Sequence, residues 1–248
     1  MDVDATIAAI ESELRAGATE ERATRERQYL KSDLEFIGAT VPAVARTVAQ
    51  LRRANLDLSR DGVLDLTVHL WQRGVFELRM AAVDLLELYL ADLQPGDLDL
   101  VESMLREAGT WALVDNLAAS VAGPLIDRYP DLAATLDRWA SDDDFWIRRS
   151  ALLALLKPLR AGGGDFDRFG RYADEMLEEG EFFIRKAIGW VLRDTSRRRP
   201  ELVAAWVAPR THRMSGVTIR EAVKKLPPDR AEELMDAYRA GRPAVTPP

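Results

Sequence analysis

The sequence contains no cysteine and only two histidines, His69 and His212, among its 248 residues. Without thiols it has no disulfide framework, no zinc–thiolate site and no cysteine nucleophile. Two histidines leave little for a histidine-based metal site or catalytic triad. No apolar run approaches the length of a membrane span, and the acidic start MDVDATIAAIESEL lacks the basic region of a signal peptide. We therefore expect a cytoplasmic protein that does not enter a membrane.

Acidic residues outnumber basic ones, and the net charge of −7 argues weakly against a nucleic-acid partner. The excess is uneven along the chain, however. Residues 1–140 carry 14 basic and 24 acidic side chains, whereas residues 141–248 carry 20 and 17. Such asymmetry can concentrate a positive field on one part of the surface, so the C-terminal part of the chain stays compatible with an anionic partner.

Helical periodicity runs through the chain, and no alternating pattern typical of strands competes with it. Within it a motif repeats: FELRMAAV, WALVDNLA, FWIRRSAL, FFIRKAIG and VTIREAVK begin at residues 76, 111, 145, 182 and 217. Spacings of 34 to 37 residues are typical of two-helix units that stack into an α-solenoid. The sequence therefore predicts an all-α solenoid, as one domain over residues 1–248 with a flexible tail at about 241–248.

The repeat register sorts residues onto different faces of the second helix. The third positions are apolar and predicted to pack inside the repeat: Leu78, Leu113, Ile147, Ile184 and Ile219. Four of the five fourth positions carry arginines that resemble the structural ladder of HEAT repeats, which favours a scaffold role: Arg79, Arg148, Arg185 and Arg220, with Val114 as the exception. The first, fifth and ninth positions lie on the opposite face, where solenoids usually bind partners. That face is predicted to gather Trp111, Asp115, Arg149, Lys186 and Trp190 on one surface.

A single carboxylate or tryptophan on a helix is usually solvated or packed, and this is the simpler interpretation of Asp115, Trp111 or Trp190 alone. Together, two tryptophans, one acid and two bases on neighbouring repeats are unusual for a surface that only confers solubility. Exposed aromatic rings among cations suit a nucleic acid, through stacking and phosphate contacts. Because an acid in such a field would repel phosphate, Asp115 is predicted to have another task.

Four segments resemble the AlkD family of alkylpurine DNA glycosylases, which are built from HEAT-like repeats. They are RQYLKSDLEFIGATVP at 27–42, TWALVD at 110–115, DDFWIRRSALL at 143–153 and EFFIRKAIGWVLRD at 181–194. The likeness implies a C-shaped solenoid of HEAT-like repeats with a concave DNA-binding face. The sequence departs from it beside the acid, because some members have tryptophan where Thr110 stands and an acid where Ala112 stands. This departure bears on lesion preference.

The resemblance also implies a role for each site residue. It makes Asp115 the catalytic carboxylate, and it sets Trp111 and Trp190 against the deoxyribose and backbone around the lesion. It implies contacts to double-stranded DNA from Arg149 and Tyr29, and Lys186 is expected to join them because the repeat register places it on the same face.

The chemistry of alkylated purines explains why one acid suffices. An alkyl group on N7 of guanine or N3 of adenine makes the base cationic and already a good leaving group. The remaining demands are to stabilise the oxocarbenium-like sugar and to steer water to it, which a carboxylate meets. Aromatic faces on the sugar add cation–π attraction.

The predicted function is therefore a monofunctional DNA glycosylase of base excision repair. It releases cationic N3- and N7-alkylpurines and acts as a monomer without metal or organic cofactor. The resemblance further implies action without base flipping, unlike most glycosylases. Two alternatives stay open: a non-enzymatic HEAT-repeat module that binds DNA or protein, and a glycosylase specialised for bulky natural-product adducts.

Overall fold

The structure, a computed structural model, describes residues 2–241. Within that range the chain forms sixteen α-helices and no strand, and its one β feature is an isolated bridge between Glu35 and Val75. The prediction of an all-α fold is confirmed. No helix in the described range is both long and apolar enough to cross a membrane.

The chain divides into two compact units, Met1–Tyr129 and Pro130–Pro248, which we call the N-terminal unit and the C-terminal unit. The N-terminal unit contains α1 Val3–Ala16, α2 Glu20–Leu30, α3 Val41–Ala54, α4 Arg60–Gln72, α5 Phe76–Leu88, α6 Leu98–Glu107, α7 Trp111–Asn116 and α8 Gly123–Arg128. The C-terminal unit contains α9 Ala133–Ala140, α10 Phe145–Ala154, α11 Leu156–Arg160, α12 Phe166–Glu175, α13 Phe182–Ser196, α14 Pro200–Val207, α15 Gly216–Ala222 and α16 Pro228–Ala240. The single domain expected over residues 1–248 stays a prediction. From residue 242 onward, the predicted flexible tail lies outside the described residues.

The second helices of successive repeats lie side by side within each unit. In the N-terminal unit α5 contacts α3 on one side and α7 on the other, while α4 packs against α5. In the C-terminal unit α13 contacts α10 and α15 in the same way, while α9 packs against α10 and α14 against α13. Each unit therefore contains a row of adjacent helices, in which α5, α7, α10, α13 and α15 carry the repeated motif.

The third positions of the motif form the core under these rows. All five, which are Leu78, Leu113, Ile147, Ile184 and Ile219, are 0% exposed. Burying a leucine or isoleucine side chain stabilises the fold by about 1.5–3 kcal/mol. The repeat register predicted from the sequence is confirmed at these positions.

Two arginines at the fourth positions, Arg79 and Arg148, connect neighbouring repeats through a backbone carbonyl and an ion pair. Arg79 donates from Nε to the Trp71 carbonyl at 3.1 Å and from Nη1 to the Glu107 carbonyl at 2.8 Å. Arg148 donates from Nε and Nη2 to the two carboxylate oxygens of Glu179, at 3.0 and 2.8 Å. These contacts confirm the scaffold role predicted for the two arginines.

Side-chain hydrogen bonds also connect residues one repeat apart. The Trp71 indole N–H donates to Glu107, 36 positions later, at 2.9 Å. Tyr172 donates to Asp137, 35 positions earlier, at 2.5 Å. The sequence period is therefore a structural period, because equivalent helices of neighbouring repeats are in direct contact.

Candidate functional site

Trp111 and Asp115 lie on the partly exposed side of α7. Thr110 precedes the helix in extended conformation, so that Trp111 is its first residue and Asp115 follows one turn later. Leu113 and Val114 are fully buried between them. Because α-helical residues four apart share a face, the tryptophan ring and the carboxylate are both turned away from this core.

Tyr29, near the end of α2, lies against the ring of Trp111. The two ring centroids are 5.8 Å apart and the rings are nearly perpendicular, at 88°. An edge-to-face pair of this kind contributes more stabilisation than the burial of the two ring surfaces alone would give. Tyr29 nevertheless stays 70% exposed. The N-terminal unit thus brings together two of the predicted DNA-contacting residues and carries the predicted catalytic acid one turn from one of them.

A stretch of π-helix follows Asp115, and the sequence pattern did not predict it. Leu117–Ala122 has π-helical geometry and joins α7 to α8. Segments of this kind are rare and frequently occur at functional sites. LAASVA combines the buried Leu117 and Val121 with alanine and serine, a composition that an α-helix also accepts, so hydrophobic spacing could not have revealed it.

Arg149, the predicted phosphate contact, is buried in the C-terminal unit. Its residue is 3% exposed, Nη1 donates to the Phe183 carbonyl, and the guanidinium lies 5.8 Å from the centroid of the Phe183 ring. In this conformation Arg149 offers almost no surface to an external phosphate. Its role as a DNA contact stays a prediction.

Lys186 and Trp190 lie one turn apart on α13, and both are partly exposed. Nζ of Lys186 donates to Glu221 at 3.0 Å, and the indole N–H of Trp190 donates to Asp194 at 3.2 Å. Each residue is therefore held by a buried carboxylate, because Glu221 and Asp194 are both 4% exposed. The common surface predicted for Trp111, Asp115, Arg149, Lys186 and Trp190 draws on both units and stays a prediction.

The sequence analysis did not single out three acids on the helices that carry the repeated motif: Asp84 on α5, Asp194 on α13 and Glu221 on α15. Burial, with a smaller contribution from the charge of Glu87, raises the pKa of Asp84 on α5 to about 6. Burial alone would also raise the pKa of Glu221, but hydrogen bonds from Lys224 and Lys186 outweigh it and lower that pKa to about 2. Asp194 and Glu221 lie among basic residues in the sequence, which is typical of a solvated helix end and hid their burial.

No group of three or more histidines, cysteines, aspartates or glutamates within residues 2–241 is arranged to hold a metal ion.

Comparisons with known proteins give the family and the fold. The model of a family described as DNA alkylation repair enzyme matches residues 10–226. A solved structure described as a predicted DNA alkylation repair enzyme from Enterococcus faecalis is similar, with a TM-score of 0.77 and 22% identity over 85% of this chain and 97% of that chain. AlkD2 from Streptococcus mutans has a TM-score of 0.56 and 18% identity, over 96% and 97% of the respective chains. At these identities the structures show a shared fold alone. A search of curated proteins found no match.

Proposed function

Because the chain belongs to the DNA alkylation repair enzyme family, we propose that it is a monofunctional DNA glycosylase. Its substrates are cationic alkylated purines in double-stranded DNA, namely N7-alkylguanine and N3-alkyladenine. The observation that carries this proposal is the arrangement on α7, where a carboxylate and a tryptophan ring share a partly exposed face and Tyr29 lies against that ring.

In the proposed reaction, water adds to C1′ of the deoxyribose as the bond from C1′ to the purine nitrogen breaks. The base leaves with the bonding electron pair, which neutralises its positive charge, so no proton has to be supplied to it. The negative charge of Asp115 stabilises the developing positive charge on the sugar and orients the water, whose proton is released to solvent. Trp111 and Trp190 present aromatic faces to the same sugar.

DNA binding in this proposal draws on cations and aromatic side chains rather than on a base pocket. Tyr29 and Lys186 contact the backbone, and Arg149 joins them as the resemblance implies. The damaged base stays in the duplex stack and is not flipped into the protein. We further propose that the protein acts as a cytoplasmic monomer without metal or organic cofactor.

The decisive experiment is single-turnover release of 7-methylguanine by Asp115→Asn at saturating enzyme, which separates chemistry from binding. The substitution keeps the size of the side chain and removes its charge. Loss of one preorganised electrostatic partner typically slows a reaction ~10²–10³-fold, and DNA affinity should hold or rise slightly. Asp99→Asn, on the exposed side of α6, is the matched control and should release base at the wild-type rate.

Each other outcome has a defined meaning. Base release by Asp115→Asn at the wild-type rate would make Asp115 an ordinary surface acid. DNA binding without any base release by the wild-type protein would instead favour a non-enzymatic module. Release of bulky adducts but not of 7-methylguanine would favour a specialised glycosylase.

A further inference from the structure

Five cations of the C-terminal unit contact two buried carboxylates. The carboxylates belong to Asp194 on α13 and Glu221 on α15. The cations within the described residues are Arg160, Lys186, Arg193, Arg197 and Lys224. We call these five side chains the basic patch.

Asp194 is the first centre of the basic patch. Its Oδ2 accepts from Nε of Arg160 at 2.8 Å and from the indole N–H of Trp190 at 3.2 Å, while Oδ1 accepts from Nε of Arg193 at 3.0 Å. Arg197 lies 4.0 Å away, at the limit of an ion pair. One carboxylate therefore orients a tryptophan of the proposed site together with the neighbouring arginines.

Glu221 is the second centre. Its Oε2 accepts from Nζ of Lys186 at 3.0 Å and from Nζ of Lys224 at 2.8 Å, and its Oε1 accepts from Nη1 of Arg193. Arg193 thus bridges the two acids. Gly189 makes this possible, because a Cβ there would lie 2.6 Å from Cβ of Glu221.

The acidic side chains of this cluster are buried, whereas the basic side chains around them are partly exposed. The side chains of Asp194 and Glu221 are 6% and 4% exposed, whereas those of Arg193 and Arg197 are 25% and 53% exposed. Five cations around two anions also leave a surplus of three positive charges. The surface that solvent meets is therefore positive and held in a fixed geometry by anions beneath it.

We propose that Asp194 and Glu221 organise the basic patch as a binding site for consecutive phosphates of a DNA backbone. Long cationic side chains lose rotamer entropy when a ligand fixes them, and here the buried carboxylates fix them before DNA arrives. This inference rests on the proposed function, since it extends the surface that contains Lys186 and Trp190.

The proposal predicts the sign of a simple measurement. If the two acids only lowered the local charge, their removal would strengthen DNA binding. If they organise the patch, Asp194→Asn and Glu221→Gln weaken binding even though each variant gains one positive charge. We expect at least about fivefold weaker binding to unmodified duplex DNA. The slope of log affinity against log salt should fall by about 1, the loss of roughly one phosphate contact.

Asp174→Asn is the matched control for charge. Asp174 also accepts from two arginines in the same unit, Arg210 at 2.8 Å and Arg213 at 2.7 Å, but none of these residues belongs to the basic patch. Its removal should leave DNA affinity and the salt slope unchanged or raise affinity slightly. If Asp194→Asn and Glu221→Gln behave like Asp174→Asn, or bind more tightly than it does, the proposal is wrong.

Surface variants keep the test decisive if the buried variants do not fold. The side chains of Arg197 and Lys224 are 53% and 52% exposed, so Arg197→Ala and Lys224→Ala should fold normally. Each should weaken binding and lower the salt slope by about 1. Arg239→Ala on α16, where the side chain is 64% exposed, should do neither. Equal binding by all three alanine variants would overturn the proposal.

Base release separates this inference from the proposed function. Wild-type protein that binds DNA through the patch but releases no 7-methylguanine would retain the patch and refute the glycosylase. If the wild-type protein releases the base while all patch variants bind DNA normally, the glycosylase proposal is supported and the proposed role of the basic patch is refuted. A wild-type protein that binds no duplex DNA at low salt would refute the patch directly.

Discussion

Arg149, which is predicted to contact DNA, is buried in the structure, and its guanidinium contacts Phe183. Its Nη1 satisfies the carbonyl of Phe183 from the next repeat, and its guanidinium lies against the Phe183 ring. Buried donors and acceptors that lose a partner typically cost about 1–3 kcal/mol each. Arg149 therefore contributes to the packing of α10 against α13, whatever contact it makes with DNA.

Asp84 gives a prediction at the same scale, because its pKa of about 6 lies above its ordinary value of 3.8. The folded protein holds this proton more tightly than the unfolded chain does. The associated stability is fully present below pH 3.8 and is lost as the pH rises through 6. Asp84→Asn, neutral at every pH, should therefore unfold at higher urea than wild type at pH 8, and the difference should vanish at low pH.

Urea unfolding at a series of pH values measures this effect. Asp99→Asn on the exposed side of α6, in its first turn, is the control and should change stability by no more than about 1 kcal/mol, the usual size of a first-turn charge effect. An Asp84→Asn variant no more stable than wild type at pH 8 would show that the carboxylate is well solvated in the folded protein.

At the scale of elements, the approach of α13 to α15 depends on Gly189. A Cβ at this position would meet the Thr218 carbonyl oxygen at 2.9 Å as well as the Glu221 side chain, and a backbone oxygen cannot rotate away. Overpacking of this kind typically costs about 1–3 kcal/mol, against roughly 1 kcal/mol gained from alanine in a helix. Gly189→Ala should therefore lower stability and weaken DNA binding, because it moves Glu221 away from Lys186 and Arg193.

Gly180→Ala provides the matched comparison for urea unfolding and DNA titration. A Cβ at Gly180 meets nothing within 4 Å, so this variant should be neutral or slightly stabilising. Equal stability and equal DNA affinity of the two variants would mean that the two helices can separate without consequence.

The sequence predicted the elements better than it predicted their polar contacts. Apolar spacing fixed the register, and Leu78 and Ile184 are fully buried as expected. The burial of Arg149 could not be predicted, because the carbonyl that it satisfies comes from a residue 34 positions later. Asp194 and Glu221 escaped notice for a similar reason: each also has a partner on another helix, Arg160 for Asp194 and Lys186 for Glu221. The spacing of the repeated motif predicts which helices are in contact. It does not predict which side chains pair across that contact, because this depends on the three-dimensional packing.

For the whole molecule, the uneven distribution of charge matters more than the total of −7. The surplus of basic residues lies in the C-terminal part of the chain. The cations of the basic patch lie on α11, on α13 and in the residues that directly follow α13 and α15. Because Coulomb interactions beyond about 8–10 Å are screened at physiological salt, DNA near the patch responds mainly to these local cations. An acidic protein can therefore bind duplex DNA.

The proposed chemistry also sets the lesion range of the protein as a whole. A cationic alkylpurine leaves as a neutral base, whereas uracil leaves as an anion unless an acid protonates it. General acid catalysis typically contributes ~10²–10⁴-fold, and the proposed mechanism supplies none to the base. We therefore expect uracil release to be at least ~10²-fold slower than release of 7-methylguanine in single-turnover assays on duplexes that differ only in the lesion. Asp115→Asn assayed on both duplexes is the control, since any activity that it retains comes from outside the proposed site. Efficient uracil release by the wild-type protein, abolished by Asp115→Asn, would show that the site delivers a proton and that its mechanism is not the one proposed.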